Sequence, residues 1–178
     1  MHRFSTKMHP WSSTALSVPP SDYLINVGRA TRILRQELPH FFLNGLSRTD
    51  IYSSSIIFKD PFHRRIQIHG KKQYLMYAQG LRVSSQLYFS NISFSILGVH
   101  SLKSCDLGLD DPAKDCLQIR WEFEGLSRFG QKESLYEGVF VYIFDHSGRV
   151  GEHLLERIHP VPPSLAPCRW FSTRLAAS

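Results

Sequence analysis

Three kinds of residue in this chain carry usable chemistry: Asp60, His153, and a set of aromatic side chains led by Phe58, Phe62, Trp121, Phe140 and Tyr142. Asp60 sits in Phe58-Lys59-Asp60-Pro61-Phe62, at the end of a strand-like segment. In an apolar pocket, a carboxyl there has its pKa raised by desolvation and can move a proton near neutral pH. The competing reading is that an Asp before Pro caps a turn. His153, in Glu152-His153-Leu154, titrates in the range that suits proton transfer, although a strand histidine is more commonly structural. If both point inward, Asp60 and His153 form an acid–base pair. The aromatic residues either pack a core or line a pocket for a flat apolar ligand, with the Tyr142 hydroxyl as its polar handle.

Other chemistries are excluded. There is no serine nucleophile elbow, phosphate-binding glycine loop or zinc motif. The three cysteines, Cys105, Cys116 and Cys168, are odd in number and lack metal-like spacing, although Cys105 and Cys116 could face each other across a hairpin base. No cofactor is expected. The net charge is +6, but the basic residues are scattered in short clusters such as Arg64-Arg65 and Lys71-Lys72, which argues against a nucleic-acid site. No apolar run is long enough to span a bilayer.

The elements that must position these residues follow from periodicity. Residues 1–21 contain Arg3 and Lys7, several Ser and Thr, and no acid before Asp22, a composition that suits mitochondrial or plastid import; failing that, the protein is expected in the cytoplasm. The domain is expected over 22–160, with an irregular tail over 161–178. Tyr23, Val27, Ala30, Ile33, Leu34 and Leu38 predict an amphipathic helix, capped by Ser21 or Asp22 and ended by Pro39. Short strands are expected at 56–59 and 66–68, and a second long helix over 71–83. The remainder reads as strands: 87–99, then Leu117 to Glu124 in strict alternation, then 135–144, apolar on both faces, and 149–158 after the turn Asp145-His146-Ser147-Gly148. Helices followed by such a run predict an α+β domain, with a curved, mostly antiparallel sheet and the helices across its concave face.

The segment Tyr52 to Gln73, with Asp60-Pro61-Phe62 and then Ile68-His69-Gly70 leading into a helix, resembles the nuclear transport factor 2-like superfamily, which includes ketosteroid isomerases and SnoaL-like cyclases. The resemblance covers about residues 22–158. It implies a cone-shaped fold with a pocket at its open end, and it carries the isomerases' general base onto Asp60. Glu152-His153-Leu154 resembles the SnoaL-like pattern of a cavity-facing late-strand residue. The isomerases' oxyanion donors do not carry over. Their late-strand acid falls at Phe140, and Tyr23 lies too early on the first helix to replace their tyrosine. Glu37-Leu38-Pro39-His40-Phe41-Phe42 with Trp121-Glu122-Phe123 looks most like an uncharacterised organellar group within the superfamily. Three functions follow as expectations: a pocket domain binding a small apolar ligand or a protein partner; a small isomerase, cyclase or dehydratase using Asp60 with His153 or Tyr142; or a structural module dimerising through Val139, Val141 and Ile143 on the outer sheet face.

Overall fold

The computed structural model describes residues 20–63, 66–103, 114–130 and 132–160. Helix α1 (Pro20–Glu37) is followed by a 3-10 turn (Leu38–His40), the short α2 (Phe41–Asn44) and a second 3-10 turn (Thr49–Ile51). Then come β1 (Tyr52–Asp60), β2 (Ile66–His69), α3 (Lys71–Tyr88), β3 (Phe89–Lys103), β4 (Asp115–Ser127), β5 (Glu133–Phe144) and β6 (Val150–His159). The six strands form one sheet in the order β2-β1-β6-β5-β4-β3. Only the β1–β6 pairing is parallel. The expected α+β architecture with helices on one face of a curved sheet is the observed one. Among the described residues, no helix is long and apolar enough to cross a membrane.

Alternation along β4 does what period two requires. Leu117, Ile119, Trp121 and Phe123 face inward and are buried, while Gln118, Arg120, Glu122 and Glu124 face the other way. Inward residues of β5 (Phe140, Tyr142, Phe144) meet α1 through Ala30, Ile33 and Leu34 in the main core. The outward residues of the same strands, Cys116, Val139, Val141 and Ile143, form a separate buried cluster against Leu154. Those side chains are already buried within the single chain. A partner at the outer face would therefore meet mainly the polar side chains around the cluster, such as Arg120 and Glu122.

Several elements outrun their sequence signals because tertiary contacts extend them. β1 begins at Tyr52 rather than 56, because Tyr52 pairs with Val150 of β6 across a register shift that absorbs the serine run. α3 continues past Val83 to Tyr88. Its last turns are held by Gln86 Nε2 donating to the Phe42 carbonyl at 2.5 Å and Arg82 to the Leu43 carbonyl at 2.5 Å. Those carbonyls end α2 and have no helical partner of their own. The expected hairpin turn after β5 forms with Gly148 at φ +76°, a conformation that glycine tolerates without steric cost. Helix α1 begins at Pro20, so Ser21 and Asp22, expected as its cap, lie inside its first turn instead. Cys105 and its facing of Cys116, the 104–113 loop, most of the 1–21 segment and the tail after 160 lie outside the described residues.

Candidate functional site

The concave face of the sheet, α3 and the Leu38–Leu46 segment enclose a cavity of about 210 Å³. Its wall is overwhelmingly aromatic and aliphatic, as expected where inward positions of a curved sheet meet the apolar face of a helix. Phe58, Trp121, Phe140 and Tyr142 all contribute to this wall, as do Asp60 and His153. Phe62 does not: it is 38% exposed. The reason is local. Asp60 Oδ1 accepts hydrogen bonds from the backbone N–H of Phe62 (2.9 Å) and of His63 (3.0 Å). This is an Asx turn, and it throws Pro61 and Phe62 outward while bringing His63 back to the cavity wall.

Asp60 therefore differs from the free carboxyl anticipated from its apolar surroundings. It is 2% exposed, and burial does push its pKa up, but hydrogen bonding from His63 and Phe62 outweighs burial and leaves the carboxyl below its ordinary value. Its Oδ2 lies 2.6 Å from His63 Nδ1. The hydrogen bond to Asp60 in turn raises the His63 pKa against the opposing effect of burial. Together they form a partly buried hydrogen-bonded pair in which the Asp60 carboxylate favours the protonated form of His63. Sequence reading missed His63. The available signal was its place three residues after an Asp in an Asp-Pro turn.

His153 has a different environment. It is paired in register with Phe58 on one side and Tyr142 on the other. Its ring stacks on Tyr142 at 4.3 Å between centroids and meets Phe140 and Phe58 edge-on at 4.7 and 5.1 Å. In this aromatic box, desolvation pushes its pKa down to about 3, so the imidazole is neutral throughout the physiological range. Nδ1 lies 3.0 Å from the Tyr74 hydroxyl, and the Tyr74 ring packs on that of Tyr52 at 5.2 Å between centroids. Burial raises the pKa values of Tyr52, Tyr74 and Tyr142, so all three stay protonated. Asp60 and His153 thus line one cavity but hold separate partners, His63 and Tyr74.

Truncating Asp60 tests the turn and the ion pair together. Asp60→Ala is expected to cost about 2–4 kcal/mol in urea unfolding, since it removes a cap and a charged hydrogen bond. Asp60→Asn keeps an oxygen for the two backbone N–H groups and is expected to cost less than half as much. Equal losses for the two variants would show that the two backbone hydrogen bonds of the turn contribute nothing and that the whole loss lies in the pair with His63.

Among the described residues, no group of three or more His, Cys, Asp or Glu side chains is placed to hold a metal ion. The sequence matches the family described as "Uncharacterized conserved protein (DUF2358)" over residues 28–153. No curated protein matches the chain. Among solved structures, an NTF2-like protein of unknown function from Exiguobacterium sp. 255-15 is 11% identical with a TM-score of 0.50, covering 71% of this chain and 95% of that one. An NTF2-like protein from Anabaena variabilis is 13% identical (TM-score 0.48, 77% and 90% covered). A steroid delta-isomerase from Pseudomonas aeruginosa is 17% identical (TM-score 0.46, 76% and 80% covered). At such identities the likeness is one of fold. With the helix-and-sheet order described above and a family match spanning most of the domain, the chain belongs to the uncharacterized conserved protein family DUF2358, on the nuclear transport factor 2-like fold.

Proposed function

We propose that this domain binds a small apolar molecule in the cavity between α3 and the concave sheet face. The observation that supports this reading is the cavity itself: about 210 Å³ of space walled by aromatic rings rather than filled by them. An apolar cavity of this kind is a favourable destination for a molecule that water expels. The neutral probe N-phenyl-1-naphthylamine is expected to bind saturably, with a Kd on the order of 1–100 µM, read by its fluorescence enhancement. Ala78 lines the cavity from α3 and is buried, so Ala78→Phe fills the space. The variant should stay folded by circular dichroism and lose saturable binding. Unsaturable binding to the wild type, or unchanged affinity in Ala78→Phe, would refute the reading.

A second reading, proton transfer on the bound molecule, is favoured by the 2.6 Å pair of Asp60 and His63 on the cavity wall. In it, Asp60 positions His63 and His63 exchanges the proton. This differs from the expectation that Asp60 is itself the base, because three hydrogen bonds from the turn and the imidazole already engage both of its oxygens. Deuterium exchange from solvent into a bound ketone, present in the wild type and lost in His63→Gln, tests it. Exchange that persists in His63→Gln counts against it.

A further inference from the structure

Resting on the ligand-binding reading, we infer that the molecule held in this cavity is uncharged and presents a carbonyl-type acceptor oxygen to two N–H donors, Trp121 Nε1 and His153 Nε2. Among the described residues, three buried side-chain polar atoms lack a partner: Glu37 Oε2, Trp121 Nε1 and His153 Nε2. The last two belong to residues lining this one cavity. Buried donors without partners are rare, because each forfeits about 1–3 kcal/mol. Two in one apolar cavity mark where a ligand's polar atoms belong.

The chemistry of both atoms is fixed by their surroundings. An indole N–H can only donate. For His153, the contact with Tyr74 decides. A phenol is the stronger donor and a neutral imidazole nitrogen the stronger acceptor, so the Tyr74 hydroxyl is assigned as the donor to His153 Nδ1, 3.0 Å away. A neutral imidazole that accepts at Nδ1 carries its proton on Nε2. Both orphan groups are therefore donors, and what they lack is an acceptor. Their ring faces are already occupied: Trp121 packs between Phe94 (5.5 Å) and Phe140 (5.0 Å), and His153 stacks on Tyr142. Only ring edges remain to meet a ligand, and both rings pack against Phe140.

Charge on the ligand is disfavoured from both sides. Among the described residues no Lys or Arg lines the cavity, and the His63 charge is already met by Asp60. A carboxylate would lose its hydration without gaining a cation and would share the cavity with the Asp60 carboxylate. An ammonium would meet two donors and no free acceptor near Phe140. A ketone, quinone, aldehyde or ester oxygen on an otherwise apolar body satisfies the wall.

The test uses the full chain with Trp11→Phe and Trp170→Phe, so that Trp121 is the one remaining indole of the three in the sequence. Three matched probes are titrated: 2-acetonaphthalene, its alkene isostere 2-isopropenylnaphthalene, and 2-naphthoate. Binding is read by calorimetry and by the nitrogen-bound protons of Trp121 and His153 in NMR spectra. The ketone should bind about 5- to 10-fold tighter than the alkene, although it is the less apolar of the two, and at least about 10-fold tighter than the carboxylate. The ketone alone should move the Trp121 Nε1 or His153 Nε2 proton downfield. An alkene that binds as tightly as the ketone, a carboxylate that binds tightest, or donor protons that stay still with bound ketone overturns this inference and leaves the cavity reading intact. Failure of both neutral probes to bind overturns the two together.

Discussion

Acidification from about pH 6.5 to about pH 4.5 is expected to cost on the order of 2–3 kcal/mol of folding stability, through His153. Its folded pKa is about 3, whereas the unfolded histidine titrates near its ordinary 6.5. Between those values the unfolded chain takes up a proton that the folded chain refuses, so stability falls by roughly 1.4 kcal/mol per pH unit as the pH drops. The other pair at the cavity does not interfere in this window. His63 has a raised pKa, so its contribution is complete below about 6.5 and is lost only as the pH climbs through its folded value. Asp60 has a lowered pKa, so its contribution is complete above about 4 and is lost only at more acid pH. Stability should therefore peak near neutrality, with His153 responsible for the acid limb and His63 for the alkaline one. Urea unfolding at the two pH values measures the effect. The double variant His153→Phe/Tyr74→Phe, which removes the imidazole and its hydroxyl partner together, should flatten the acid limb. An unchanged slope in that variant would assign the acid sensitivity elsewhere.

Gly138→Ala is the substitution expected to damage the domain most for its size. Gly138 of β5 pairs in register with Trp121 of β4. A Cβ at 138 would come within 2.0 Å of Trp121 Cζ2 and 2.4 Å of Cε2. The indole lies across the bare backbone and cannot slide aside, because Phe94 and Phe140 hold its two faces. Forcing a methyl into such packing costs about 1–3 kcal/mol or more, and here it also moves a cavity wall, so ligand affinity should fall with stability. Gly80→Ala on α3 is the contrasting variant. A Cβ there meets nothing within 4 Å, and alanine in a helix is favoured over glycine by about 0.5–1 kcal/mol, so a small gain is expected. Thermal and urea unfolding read both. The cause is isolated by Gly138→Ala/Trp121→Phe: the smaller ring should restore part of the loss, and a strictly additive double variant would exclude the clash.

Much of the architecture was legible because it depends on short-range periodicity. Alternation over Leu117–Glu124 specified both the strand and its buried face, and β5, apolar on both faces, proved to be an interior strand between β4 and β6. The stripe of Ala30, Ile33 and Leu34 on α1, continued by Leu38 in the 3-10 turn that follows, is the buried one. The ends of β1 and α3 were not legible. Ser53-Ser54-Ser55 is drawn into β1 by pairing with β6, about a hundred residues away in sequence, and the last turn of α3 is held by contacts to the end of α2. Local propensity contains neither partner.

The aromatic character of the cavity was likewise set in the sequence, by inward parity: Phe140 and Tyr142 share one side of β5, Trp121 and Phe123 one side of β4. The sequence by itself determined the fold class, which strand faces are apolar, and that a carboxylate and an imidazole would stand in the Asp60 and His153 segments. Only the tertiary structure decided what those groups are. Asp60 is made a turn cap and the partner of His63 by an Asx turn over residues 60–63 that also turns Phe62 out. His153 is made a neutral imidazole by rings from β1, β5 and α3. The physical reason is that periodicity is a property of neighbours in the chain, whereas desolvation and hydrogen-bond partnership are properties of neighbours in space, and at this site most of those neighbours come from other elements.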